Sequence, residues 1–445
     1  MKRVLILTDD RLGLMMAGPA IRASEIARHL AKHAAVTLAS TQPGQLEVDG
    51  VAVTSIGRSW SALRPLAEAH DVILAGGMLL AQYPGLAKLG KHLVLDLYDP
   101  FLLEDLELLR EHGALGEFLY REHHQKLEWQ MQRADFMICA SDRQRDYWLG
   151  RLCALGRLSP QAYSPDPSFE HLVACVPFGL PGGLPQLSEP RLRGVYPGIG
   201  AQDRILLWGG GIWDWLDPLT PIRAMARVAE RNPEVKLVFL AGRSPNPTTP
   251  EMSMSRRARA LADELGLLGR SVIFYEHWVP YAERGSLLLE ADAGVTAHFH
   301  QLETRFSFRT RVLDYLWAGL PILATGGDSM GDLVAREGLG LTCGYESTED
   351  WERAIMAFAS QEALRTECQR RIKEIRPQFT WEQAVAPLVH YLEAPYRTPA
   401  GLTPPHWLFR EPLTSVVKAG LSLKAEGWEG LRHRIQRRLS RHVPD

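Results

Sequence analysis

Short apolar runs recur at intervals along the first third of the chain, each followed by a turn and then by residues with helical spacing. Val4-Leu5-Ile6-Leu7 reads as a buried strand, and Ile21 to Lys32 follows with apolar positions at Ile21, Ile26, Ala27 and Leu30. Val36-Thr37-Leu38 and Val51-Ala52-Val53 are two more strands. Val72-Ile73-Leu74-Ala75, Leu93-Val94-Leu95-Asp96 and Phe136-Met137-Ile138-Cys139-Ala140 complete the set. Strands alternating with helices predict a parallel sheet wound on both faces. Glu117 to Arg133 reads as a long charged helix, and Ser141 as the N-cap of a helix through Tyr147 and Trp148.

The pattern restarts near Arg204. Ile205-Leu206-Leu207-Trp208 runs into Gly209-Gly210-Gly211, and Val235 to Leu240 runs into Ala241-Gly242. Val272-Ile273-Phe274, Ala293-Gly294-Val295-Thr296 and Pro321-Ile322-Leu323-Ala324 follow as strands. Between the two series, Val176 to Gly200 is rich in Gly and Pro and reads as a linker. The expected fold class is α/β, with two doubly wound domains at 1–185 and 200–378 facing a central cleft. Residues 379–445 form the remainder: Phe379-Thr380-Trp381-Glu382 opens a crossover, and a basic helical tail extends from about Thr414 to Arg441. Ligands of such halves bind at strand C-termini that face the cleft.

Composition narrows the class. A chain of 445 residues exceeds one ordinary core, and 46% hydrophobic with 23% charged residues is the mix of a soluble globular protein. A formal net charge of -2 gives no global attraction to nucleic acid or anionic lipid. The five cysteines are scattered without a close pair, which argues against a Cys-rich zinc site or a disulfide framework; Cys139 reads as a core thiol. Met1-Lys2-Arg3 leads straight into a strand too short for a signal core, and no apolar run is long enough to span a bilayer, so a cytoplasmic location is expected.

The chemistry concentrates in loops after strands. Phe306 to Ala324 reads as a loop carrying Arg309 and Arg311, a short helix, Gly319-Leu320-Pro321 and a strand. Two guanidiniums before a helix N-terminus suit a diphosphate, and Asp314 one turn on can accept from a sugar diol. Gly13 and Gly18-Pro19-Ala20, with Arg22 behind them, allow close backbone approach to an anion. Gly210 and Gly211 offer the same in the second unit, and Arg243 after Gly242 is a third cation for the diphosphate. Trp278 can stack on a base and Val279 can offer its backbone. Asp99 stands beyond a strand end, toward the cleft. His123 and His124 read as surface residues, and no Asp-x-Asp pair or His cluster calls for a metal.

The segment Asp314-Tyr315-Leu316-Trp317-Ala318-Gly319-Leu320-Pro321-Ile322-Leu323 resembles the donor-site motif of the group 1 (family 4) retaining glycosyltransferases. The resemblance covers roughly residues 1 to 390. It implies the GT-B fold, two Rossmann-like domains, and transfer of a sugar from a nucleotide-diphosphate donor with retention and without metal or other cofactor. Together with the residue pattern it gives donor-binding candidates Gly18, Gly210, Gly211, Arg243, Trp278, Val279, Glu303, Arg309, Arg311 and Asp314, with Asp99 and Arg309 as candidates at the reacting centre. The chain departs from the family in three places. Trp213, Asp214, Trp215 and Asp217 stand where an Arg/Lys pair is usual. Phe306 stands where the first motif carboxylate is usual, which leaves Glu303 as its substitute. Leu97-Tyr98-Asp99-Pro100 stands where a His is common. The acceptor implied is a sugar, a lipid-linked glycan or a small molecule, in surface glycan, glycolipid or secondary-metabolite assembly. A basic, apolar-striped tail with Trp428 fits two expectations, packing on the first domain as a surface helix or peripheral contact with an anionic membrane at its inner face. A non-catalytic GT-B binding protein and a GT-B nucleotide-sugar epimerase stay open as alternatives.

Overall fold

The computed structural model describes residues 1–240, 242, 252–399, 416–424, 427–430 and 432. Its first sheet comprises β1 (Arg3–Thr8), β2 (Ala35–Ser40), β3 (Val51–Ser55), β4 (Val72–Gly76), β5 (His92–Asp96), β6 (Phe136–Cys139) and β7 (Val173–Cys175). All pair in parallel, in the order β3-β2-β1-β4-β5-β6-β7. The second sheet comprises β8 (Arg204–Trp208), β9 (Val235–Leu240), β10 (Val272–Tyr275), β11 (Ala293–Thr296), β12 (Ile322–Thr325) and β13 (Gly340–Cys343). It is also parallel, in the order β10-β9-β8-β11-β12-β13.

Parallel strands are covered by helices on both faces, which is why their sequences are apolar at nearly every position. In β1, Val4 and Ile6 enter one apolar cluster while Leu5 and Leu7 enter another on the opposite face. The first of these clusters is continuous across the molecule. It runs from Ile6 through Val176, Phe178, Trp381 and Tyr391 to Leu207 and Val312. Strand order reverses between β1 and β4, and again between β8 and β11. Those two points define the crevices where a doubly wound sheet takes ligands.

Two short edge strands, β7 and β13, have no counterpart in the apolar pattern. The Gly/Pro-rich connection between the two series is held by hydrogen bonds to the second half. The Glu290 carboxylate accepts from the backbone N–H groups of Arg191, Leu192 and Arg193 at 2.9, 2.8 and 2.9 Å. Leu192 and Ile199 are buried, so this segment is a packed strap on the second half. The chain then crosses back. The Leu180 N–H donates to the Phe379 carbonyl at 2.6 Å, and Tyr391 stacks on Phe136 with centroids 4.7 Å apart. Thr398 Oγ1 donates to the Asp135 carbonyl at 2.8 Å, tying residues beyond the helix Ala386–Glu393 to the first sheet. Of the expected tail helix, 416–424 is helical and Lys418 pairs with Glu122 of the helix Gly113–Arg133; most of the remainder lies outside the described residues.

Candidate active site

Helix Thr310–Ala318 lies beneath the β8/β11 crevice and positions much of the site. Its Tyr315 hydroxyl accepts from the Gly209 N–H at 2.8 Å and lies 2.8 Å from the Val295 carbonyl, joining the ends of both crevice strands. Gly294 is needed for this: a Cβ there would come within 2.3 Å of the Tyr315 ring. The helix stops at Gly319, which has φ +71° and supplies the left-handed cap.

Arg311 reaches back from this helix to the glycine loop. Its Nη2 donates to the Gly211 carbonyl at 3.0 Å and its guanidinium lies 4.8 Å from the Trp208 ring centroid. Its Nη1, shielded from solvent, has no partner among the described residues. Burial lowers the Arg311 pKa to about 10, which still leaves it cationic at neutral pH. Gly210 beside it has φ +91° with nothing near its missing side chain, so the loop backbone stands open.

Arg309 has a different setting. It is buried and forms a two-pronged pair with Glu303, Nη1 to Oε1 at 2.9 Å and Nη2 to Oε2 at 2.7 Å. Its Nε lies 3.6 Å from Asp328 Oδ2. Glu303 was expected from a loop and instead sits in the short helix Leu302–Phe306. Asp328 caps helix Ser329–Glu337 through the N–H groups of Met330 and Gly331 at 2.7 and 2.6 Å, and burial pushes it up to about 6. His298, buried at the end of β11, donates from Nε2 to the Gly326 carbonyl at 3.3 Å. Burial holds its pKa well below the ordinary value, so it is neutral.

From the first sheet, Asp99 and Glu104 face this cluster. They share a hydrogen bond, burial pushes Asp99 up to about 6, and burial with the Asp99 charge raises Glu104 well above its ordinary range. Two half-buried carboxyls in contact cannot both ionise at low cost, so the pair holds a proton across much of the acidic range. Arg22, at the first crevice, is committed elsewhere. It pairs with Asp96 at 2.6 and 3.0 Å and donates to the Val176 carbonyl at 2.8 Å. Gly18 opens helix Gly18–Leu30, whose N-terminus has no side-chain cap.

Asp314 Oδ1 accepts from Arg284 Nε at 2.9 Å, and its side chain remains 36% exposed. Arg284 is sandwiched by Tyr281 at 3.6 Å and Trp317 at 4.8 Å. Trp278 is half-buried with its Nε1 unpartnered among the described residues, and Val279 packs partly on the core. Gly242 lies so close that a Cβ would meet the Trp278 nitrogen at 2.5 Å. Arg243 lies outside the described residues.

The departures after Gly211 have structural roles. Trp213 and Trp215 stack at 5.3 Å, Asp214 accepts from the Met254 N–H at 2.7 Å, and Asp217 accepts from the Thr220 N–H at 3.0 Å. Phe306 packs against Tyr147 of the first half, centroids 4.9 Å apart. Glu104, Arg284, His298 and Asp328 were not singled out from the sequence. A cap signature, Gly326-Gly327-Asp328-Ser329 after an apolar strand, was present for Asp328. Glu104 and Arg284 carried no local signal. Among the described residues no group of three or more His, Cys, Asp or Glu side chains is placed to hold a metal ion.

Neither a protein-family model nor a curated protein sequence matches this chain. Solved structures do match its fold. HepE of Anabaena, solved in complex with UDP-glucose, superposes with a TM-score of 0.63 at 14% identity, over 88% of this chain and 100% of that one. The sucrose-phosphate synthase of Thermosynechococcus elongatus gives 0.60 at 14% identity, over 88% and 98%. WaaG, a glycosyltransferase involved in lipopolysaccharide biosynthesis, gives 0.60 at 16% identity, over 88% and 100%. With its two parallel sheets and a C-terminal crossover, this chain has the GT-B fold of those glycosyltransferases.

Proposed function

We propose that the protein is a glycosyltransferase that takes a sugar from a nucleotide-diphosphate donor and passes it to an acceptor hydroxyl with retention. The observation that carries this reading is Arg311: a cation with a shielded N–H, unpartnered among the described residues, beside the open Gly210-Gly211 backbone, at the point where strand order reverses. An anion there would complete the guanidinium and meet backbone N–H groups. Asp314 then receives the ribose hydroxyls, in exchange with Arg284, and Trp278 with Val279 flanks the base. Gly18, at an uncapped helix N-terminus across the cleft, adds a second positive pole for the phosphates.

In this reading Arg309, braced by Glu303, stabilises charge as the diphosphate departs, and Asp99 orients the transferred sugar. The bond from the sugar's anomeric carbon to the diphosphate oxygen breaks, and the acceptor oxygen attacks on the same face. The acceptor proton leaves with the diphosphate. The neighbour HepE, solved with UDP-glucose, supports a nucleotide-sugar donor. Work without a metal or other cofactor, action at the cytoplasmic side of a membrane and a role in surface-glycan assembly belong to the same proposal.

A second reading, a binding protein without turnover, draws on the pairing of Arg309 with Glu303 and on the tryptophans in place of phosphate-binding cations. Titration calorimetry with UDP, GDP, dTDP and CDP, followed by assay of donor hydrolysis, tests both. Binding of one diphosphate with hydrolysis of its sugar is the expected result. Absence of any nucleotide binding overturns the proposal, and binding without turnover of any donor selects the second reading.

A further inference from the structure

The two halves also enclose a cleft of about 730 Å³ that none of Arg309, Arg311 or Asp314 lines. The helix Asp142–Ala154 forms its wall on the first half, and the helix Leu302–Phe306 forms it on the second. Much of the lining is aromatic: Phe306 lies against Tyr147, and His300 lies 4.8 Å from Tyr345. Among these rings stand Arg305 and Asp146, both exposed. Among the described residues neither forms an ion pair, and Arg305 has only the Phe306 ring, 5.9 Å away. Arg143 in the same cleft is committed, donating to the Gly327 carbonyl at 2.7 Å and pairing with Asp332.

A sugar ring has an apolar C–H face and hydroxyls that both donate and accept. The ring faces of Phe306 and Tyr147 suit the first, while Arg305, which only donates, and Asp146, which only accepts, suit the second. A lipid tail would desolvate both charged groups without a partner. A carboxylate or phosphate would suit Arg305 but bring like charge to Asp146. We propose that the acceptor is a neutral oligosaccharide, its terminal ring lying on Phe306 and Tyr147 and read by Arg305 and Asp146. The proposal rests on the transferase reading and names its acceptor. Phe306, where the resembled family carries a carboxylate, becomes a specificity residue that offers a ring face instead.

Saturation-transfer NMR on the full chain with UDP present tests this, with maltose, cellobiose and lactose as probes and glucuronate and hexanol as contrasts. Transfer to the ring C–H protons of at least one disaccharide is expected. It should fall about fivefold or more in Phe306→Ser and in Asp146→Asn, and persist in Phe306→Trp. Silence from all three disaccharides, or transfer only to glucuronate or hexanol, overturns the proposal. So does disaccharide transfer that is unchanged in both weakened variants. Displacement of the disaccharide by UDP-glucose but not by UDP assigns the cleft to the donor's own sugar and overturns the acceptor assignment. Calorimetry with UDP, GDP, dTDP and CDP keeps the two readings apart. Disaccharide transfer without any nucleotide binding sinks the transferase reading and leaves the carbohydrate site standing.

Discussion

Arg309 and Arg311 lie two positions apart and have different electrostatic surroundings, so their substitution should have different consequences. Arg311→Ala removes one charge-assisted contact of about 1.5–3 kcal/mol, enough to weaken nucleotide diphosphate binding about tenfold or more. Calorimetry on a folded variant reads it, and unchanged affinity refutes the role. Arg309→Ala instead strands the buried Glu303, and loss of one partner of a buried pair costs about 3–5 kcal/mol, visible as a lowered Tm without ligand. Asp99 titrates in a defined window. Its folded pKa, about 6, lies above an unfolded value of about 3.9, so the folded state holds a proton the unfolded chain has released. That contribution is complete below about pH 4 and is lost as pH rises to about 6. The Tm of Asp99→Asn minus that of the native protein should therefore rise across this window and then level off. The sequence makes Asp314, Glu303 and both arginines visible as candidates. It does not show that Glu303 closes on Arg309, because Arg309 stands in the connection after the Glu303 helix, whose path depends on tertiary packing. Arg284 reaches Asp314 from a different element for the same reason.

Elements were legible where apolar runs were long. β1, β4, β8 and β9 are buried on both faces and are apolar along nearly their whole length. β7 is three residues, Val173-Ala174-Cys175, and β13 begins with Gly340 at the sheet edge; neither carries a period that separates it from a loop. The tail rests on the first half and still exposes apolar side chains. Lys418 pairs with Glu122 of the long first-half helix, while Val416, Val417 and Trp428 are 73%, 41% and 75% exposed. The exposed Val416, Val417 and Trp428 of the described tail residues suit an interfacial contact with anionic lipid. In co-sedimentation with anionic vesicles at low salt, the full chain should pellet, and a chain ending at residue 399 should not. Both remaining in the supernatant removes the membrane contact.

At the scale of the whole molecule, the central cleft was legible from two series of βαβ patterning, and the crossover from Phe379 to Glu382. The tightness of that crossover was not, because it depends on one backbone passing another. A Cβ at Gly179 would lie 2.4 Å from the Trp381 backbone, and the Trp381 ring packs 5.5 Å from Phe178. Gly179→Ala should therefore force the strap and the crossover apart and lower the Tm by several degrees. An unchanged melting curve would show that the contact yields.

Arg143 connects the halves on the other side of the cleft, through Gly327 and Asp332, and this pair is roughly 40% exposed on both partners, at 36% and 42%. Exposed pairs contribute about 0–1 kcal/mol and are screened by salt. Opposite the backbone contact at Leu180 and Thr380, the halves meet through this exposed pair and the Phe306–Tyr147 ring contact, so charge supplies part of the clasp. Ionic strength then becomes the setting of the gap. Small-angle scattering should show a radius of gyration that grows with salt, and Arg143→Ala should already be open at low salt.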